Sequence, residues 1–148
     1  MLFLEEGIEK AKSGWLKKMV EDGAQNEIGV VGAKVMEKTG KQLHAGMILG
    51  GKGMIHYVAE KSDINDVGYM GRYVCTQEYS AVSGMCMLVE RQCFEAVGGF
   101  DDELTGELQY TDLCLKIRGA GYKVMYEPGA KIYIKKSIHQ NLSEEQYF

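Results

Sequence analysis

The stretch Ser80-Ala-Val-Ser-Gly-Met-Cys-Met-Leu-Val-Glu-Arg91, continued by Phe94-Glu-Ala-Val-Gly-Gly-Phe-Asp-Asp-Glu103, decides the fold class. Tyr79 to Val89 is the strongest strand candidate in the chain. Gly84 interrupts it, and a glycine inside a strand marks a bulge or a close approach by a ligand or backbone. Arg91 to Val97 predicts a short helix stopped by Gly98-Gly99, where glycine can take a left-handed cap conformation.

Working outward, Leu108, Leu113, Cys114 and Ile117 stripe one side of a predicted helix that ends near Gly119. Lys123 to Glu127 reads as a strand closed by Pro128-Gly129, and Lys131 to Ile134 as another. Upstream, Ile28-Gly-Val-Val-Gly-Ala-Lys-Val35 is a continuous β-branched run, the pattern of a buried strand. Ser13 is placed to cap a helix carrying Trp15, Leu16, Met19 and Val20 on one face, ended by Gly23. Lys38-Thr39-Gly40-Lys41 forms a turn before a strand-like segment from Gln42 to Leu49. Gly50 to Arg72 is glycine-rich and weakly periodic, with Asp63, Asn65 and Asp66 clustered. It predicts a long ordered loop, and such loops tend to carry function. Helices and strands alternate, so the class is α/β.

The 148 residues suit one domain. Apolar residues make up 45% and charged residues 26%, an ordinary globular balance. The net charge of −4 argues against nucleic acid as a partner, because that recognition needs a basic face. Cys75, Cys86, Cys93 and Cys114 show no C-x-x-C spacing, and the last three sit in apolar runs as small buried hydrophobes. Met1-Leu2-Phe3-Leu4 runs into Glu5-Glu6, too short for the core of a signal peptide. No apolar stretch reaches the ~20 residues of a membrane span. A cytoplasmic location is the expectation.

The ordered motifs resemble those of family 2 glycosyltransferases of the GT-A fold. Ser80 to Glu103 is similar to that family's S-A-V-T-G-A-C-L-L-V-R-R strand, short helix and G-G-F-D-E. Thr111-Asp-Leu-Cys-Leu-Lys-Ile-Arg-Gly-Ala-Gly-Tyr122 resembles its E-D-x-D-L-C-L-R-x-R-x-A-G-Y. Ile28 to Val35 and Gln42-Leu43-His44-Ala45-Gly46 resemble its V-G-A-V-G-A-K-L and I-Q-H-A-G segments. The resemblance runs from about residue 15 to residue 134. It implies a single partial domain over 1–148 with a C-terminal tail at 135–148. The implied architecture is a mixed sheet flanked by helices that lacks most of the N-terminal nucleotide-binding half.

It also implies a chemistry. Transfer from a nucleotide-sugar sends away a diphosphate as the anomeric carbon turns cationic. A divalent metal (Mg or Mn) held by carboxylates neutralises the leaving group. An acceptor-side carboxylate takes the proton of the attacking hydroxyl. The implied partners are therefore a nucleotide-sugar and a glycan acceptor. Gly84, Asp101, Asp102 and His44 fall on substrate-side positions, His44 serving either in the active-site floor or as a packed turn residue.

Three positions depart from the pattern. The metal motif N-D-D falls on Glu5-Glu6-Gly7, leaving Glu5 and Glu6 as candidate metal ligands or as solvated charges. E-D-x-D falls on Gln109-Tyr110-Thr111-Asp112, so the base position holds Tyr110, a poor base near neutrality. Asp112 then remains as a brace for the helix or as a catalytic acid, and Glu107 as a substitute base or a single exposed glutamate. The family's Y-H-H segment falls on Tyr133-Ile134-Lys135-Lys136, with His139 beyond it.

Two functions follow. One is a glycosyltransferase domain with little activity as an isolated chain; the other is a non-catalytic module that binds glycan or protein. Uncovered strand edges and apolar surface further predict a homo-oligomer.

Overall fold

The computed structural model describes residues 1–50 and 55–135. The chain opens with strands β1 (Leu2–Leu4) and β2 (Ile8–Ala11), helix α1 (Trp15–Gly23) and the long strand β3 (Ile28–Glu37). Short strands β4 (Gln42–His44), β5 (Met47–Leu49) and β6 (Ile55–Tyr57) follow, then β7 (Gln77–Glu78) and β8 (Cys86–Val89). Helices α2 (Arg91–Ala96) and α3 (Glu107–Gly119) lead into β9 (Lys123–Ile134).

The main sheet runs β1-β8-β3-β9-β2, with β4 also on β3 and β7 also on β9. β3 and β9 are parallel, whereas β8 is antiparallel to both β1 and β3. The result is the expected α/β architecture, a mixed sheet with helices on both faces. β5 and β6 form a separate hairpin.

β3 is buried over its first nine residues because both its faces are covered. Val31, Ala33 and Val35 pack with Met19 of α1, Cys86 and Ile132 on one face. Val30 packs with Val82, Met87, Leu113, Cys114 and Ile117 on the face of α2 and α3. Gly29 lets α3 approach closely, since a Cβ there would lie 2.5 Å from Ile117. As expected, Cys86, Cys93 and Cys114 are buried thiols.

Several boundaries differ from the sequence reading. Gly14, in a left-handed conformation, caps α1 without a side-chain hydrogen bond, so Ser13 is not its cap. Only Met19 of the expected apolar face is fully buried, while Leu16 and Val20 are 40% and 50% exposed. The strand expected from Tyr79 is confined to Cys86–Val89. Its first half leaves the ladder through a turn in which Met85 N–H donates to Ser83 Oγ at 3.2 Å. The two strands expected around Pro128-Gly129 form one strand, with a register jump from Ala33↔Glu127 to Lys34↔Lys131. Glu127 braces that bulge by accepting Gly129 N–H at 2.7 Å.

The segment expected as a loop from Gly50 contains β6 and a 3-10 turn at Tyr69–Gly71. Lys34 Nζ at 3.4 Å and the Tyr126 hydroxyl at 2.8 Å both donate to the Tyr73 carbonyl, tying this segment to the sheet. His139 and the expected tail beyond Lys135 lie outside the described residues.

Candidate functional site

A cleft of about 200 Å³ lies where β1, the turn before β8 and the start of α3 converge. Glu5, Gly84, Met85, Gly106, Glu107, Gln109 and Tyr110 line it. β1 delivers Glu5, whose N–H donates to the Met85 carbonyl at 3.0 Å. The first turn of α3 delivers Glu107. Its Oε1 accepts the Gly84 N–H at 2.9 Å, joining helix and turn.

Gly84 is required by close approach, because a Cβ there would lie 2.2 Å from the Tyr110 ring. That ring closes an aromatic wall, edge-on to Phe100 at 5.3 Å and to Phe3 at 6.2 Å between centroids. Such edge-on pairs fix ring orientation as well as burying area. Burial pushes the Tyr110 phenol up, and the nearby charges of Glu107 and Glu5 push it further. Its hydroxyl therefore stays protonated at neutrality, available as a hydrogen-bond donor and unavailable as a base.

The structure brings Glu5, Gly84 and Glu107 together and leaves the other candidates outside the cleft lining. Glu107 is not the exposed glutamate that an isolated reading suggests; only 5% of it is exposed, because it packs under the Gly84 turn. Asp112 is turned to Lys116 one helical turn on, at 2.8 Å. Asp101 accepts the Glu103 N–H at 2.9 Å and so shapes the turn before α3. Asp102 is exposed. Of the adjacent Glu5 and Glu6, Glu5 lines the cleft and Glu6 is exposed.

His44 is buried on β4, its Nδ1 3.5 Å from the Gly46 N–H and its ring on Tyr57. Burial pushes its imidazole down to about 4, so it is neutral and packed at pH 7. Among the described residues, no group of three or more His, Cys, Asp or Glu side chains could hold a metal ion.

Sequence reasoning singled out Tyr110 as a replaced base but missed Met85, Gly106 and Gln109 as cleft walls. For Glu107, the available signal was its place in the first turn of the α3 stripe, directly after the Gly106 break.

No protein-family model matches the chain. It is 34% identical over 152 residues to an uncharacterized protein, y4gI, of Sinorhizobium fredii, an alignment covering 97% of this chain and 16% of that protein. It is 26% identical over 126 residues to the O-antigen biosynthesis protein RfbC of Myxococcus xanthus, covering 84% of this chain and 10% of that one. The chain therefore spans a small fraction of the length of these relatives. Among solved structures, GalNAc-T7, crystallised with UDP, GalNAc and Mn2+, superposes with a TM-score of 0.66 at 13% identity. That match covers 93% of this chain and 28% of GalNAc-T7. The fold is glycosyltransferase-like, of the GT-A type. Among the described residues, no helix is long and apolar enough to cross a membrane.

Proposed function

We propose that the chain is the acceptor-side portion of a family 2 glycosyltransferase-like domain, and that its cleft binds a sugar hydroxyl of a glycan acceptor. The observation that carries this reading is the meeting of two carboxylates, a protonated phenol and the Gly84 backbone in one cleft. Carboxylates only accept hydrogen bonds, while a neutral phenol donates, so the lining can satisfy both sides of a hydroxyl.

Glu107 is the candidate base in preference to Asp112, whose carboxylate is engaged by Lys116. It accepts the Gly84 N–H and sits in the first turn of α3. By resemblance the donor is a nucleotide-sugar, and GalNAc-T7 was crystallised with UDP and Mn2+. Among the described residues, no group of three or more His, Cys, Asp or Glu side chains is placed to hold that metal. The isolated chain is therefore expected to bind acceptor and to turn over little.

The second reading, a non-catalytic glycan-binding module, is favoured by one specific feature. Tyr110 occupies the base position and stays protonated.

Titration of the chain with glycan fragments by NMR tests both readings. Glu107→Gln should weaken binding roughly tenfold, the value of one charge-assisted hydrogen bond, and Asp112→Asn should leave it unchanged. The reverse pattern would move the site to the outer face of α3. Measurable transfer from any nucleotide-sugar by the isolated chain would overturn the low-activity statement.

A homo-oligomer and a cytoplasmic location belong to the same proposal. All four cysteines are free thiols, as a reducing compartment maintains them. β1 is an edge of the sheet. Leu4 at its end is 50% exposed, as is Val20 of α1. Leu2 and Leu4 register with Leu88 and Cys86, and Cys86 touches Met19. Half-buried Leu2 and exposed Leu4 thus share the sheet face covered by α1, the arrangement an edge-to-edge contact would bury.

A further inference from the structure

A second pair of acids lies on the α1 face of the sheet, away from the cleft. Asp22 near the end of α1 lies against Glu127 at the β9 bulge, where Lys18, one turn earlier, packs along Gly129. Glu127 is only 8% exposed and its two oxygens are already served. Oε1 takes the Gly129 N–H at 2.7 Å, and Oε2 takes the Thr76 hydroxyl at 3.2 Å. Asp22 Oδ2, by contrast, is buried with no donor from the protein. A buried carboxylate oxygen without a donor, held against a second carboxylate, is unfavourable on two counts: lost hydration and like charge. One proton removes both, because a protonated Asp22 donates to Glu127.

We propose that Asp22 and Glu127 form a proton-bridged clasp that pins α1 to the β9 bulge and to the Thr76 strand entry, closed while the pair shares one proton and released when that proton leaves. The charged neighbours fit this assignment. Lys18, one turn back on α1, packs along Gly129 and favours ionisation of Asp22, whereas Glu21 opposes it. From β3 and β8 the helix meets Val31 and Leu88 near Gly23, and the Cys86 thiol near Met19. Burial pushes that thiol up to about 12, so it does not titrate in the neutral range.

Burial, then the hydrogen bond and charge of Glu127, push Asp22 up to about 7. Burial alone would raise Glu127 too, yet hydrogen bonds from Asp22, Gly129 and Thr76 outweigh it and bring Glu127 below its ordinary value. For Asp22 the folded state holds the proton more tightly than the unfolded state. Its stabilisation is complete below the unfolded value near 3.8 and is lost as pH rises through about 7.

The test is thermal unfolding of the whole chain between pH 6.5 and 8.5, with the infrared carboxyl band read in parallel. The wild type should lose roughly 3 °C of melting temperature across this window, the last part of a loss that begins at the unfolded value of 3.8. Its protonated-carboxyl band should be present at pH 6.5 and absent at pH 8.5. Asp22→Asn keeps a donor toward Glu127 but cannot ionise, so its melting temperature should stay level across the window. A wild type with no protonated band at pH 6.5 overturns the clasp whether or not the variant folds. An Asp22→Asn chain that keeps the alkaline loss also overturns it. So does rescue of the wild type at pH 8.5 by millimolar Mg2+, which would make a cation, not a proton, the natural bridge.

Discussion

The two carboxylate pairs on opposite faces of the sheet use the same side-chain chemistry to different ends. In the cleft, Glu5 and Glu107 are accompanied by a backbone N–H, a protonated phenol and an opening of about 200 Å³. At the clasp, Thr76 and Gly129 donate to Glu127 alone, and Asp22 keeps a buried oxygen without a donor. Access separates them: the cleft pair borders an opening that a ligand can enter, whereas one oxygen of Asp22 is buried beside Glu127. The first arrangement suits recognition and the second suits stability that depends on pH.

The sharpest way to break the cleft side is Gly84→Ala. A Cβ 2.2 Å from the Tyr110 ring forces either the turn or the ring aside. It also pulls Gly84 N–H from a buried carboxylate. Overpacking together with an unsatisfied buried group should cost about 4 kcal/mol in urea unfolding. The double variant Gly84→Ala with Tyr110→Ala should recover at least half of that loss. A single variant within about 1 kcal/mol of wild type would show that the turn is softer than its geometry implies.

The next test sharpens the pH contrast by adding a group of opposite sign. His44 is buried neutral and pushed down to about 4 from an unfolded value near 6.5. Its folded state therefore resists the proton that the unfolded state accepts. Its stabilisation is complete above pH 6.5 and is lost as pH falls toward 4, by about 3 kcal/mol over that span. Asp22 gains stability over nearly the same span as pH falls, so the two offset each other in the wild type, and the acid limb of His44 should be read in denaturant titrations of Asp22→Asn. His44→Gln should flatten the acid limb only; an acid limb that survives it would assign the loss to other groups.

On the cleft side a milder change separates support from recognition. Glu107→Gln keeps an acceptor for Gly84 N–H, so it should cost only about 1 kcal/mol of stability by thermal melt. Glu107→Ala should cost about twice as much, since it leaves that N–H without its partner. Equal costs would mean that the Glu107–Gly84 bond contributes nothing to the fold.

These contrasts follow how far the sequence could be read. The run Ile28–Val35, the Gly98-Gly99 stop and the α3 stripe identified the sheet core and helices, because periodicity and glycine chemistry act over a few residues. The glycine at position 84 was legible as a site of close approach, but not what approaches it. Tyr110 meets Gly84 only after α3 packs across the turn. Glu107 read as exposed because a polar residue in a first helical turn usually faces water, and tertiary contact overrode that preference. The Asp22–Glu127 contact left no local trace at all, since it joins a helix near one end of the chain to a bulge near the other. Pro128-Gly129 suggested a break between strands. Pairing with β3 carried the strand through, and Glu127 holds the displaced residues.

The smallest effect concerns the flank of α1 opposite the clasp. Lys18 and Asp22 face β9, while Gly23 contacts Leu88 of β8, which sets Leu16 and Val20 toward the β1 side. Both are well exposed, so neither contributes much to the isolated fold. Val20→Asp should therefore change unfolding free energy by less than about 0.5 kcal/mol. If two copies meet along β1, the same charge would lie in their contact and should convert an oligomer to a monomer in light scattering. A wild type already monomeric at high concentration would remove the proposed edge contact and leave Leu16 and Val20 as ordinary surface residues. A variant that stays oligomeric would move the contact elsewhere, because a buried aspartate without a partner would be too costly to retain there.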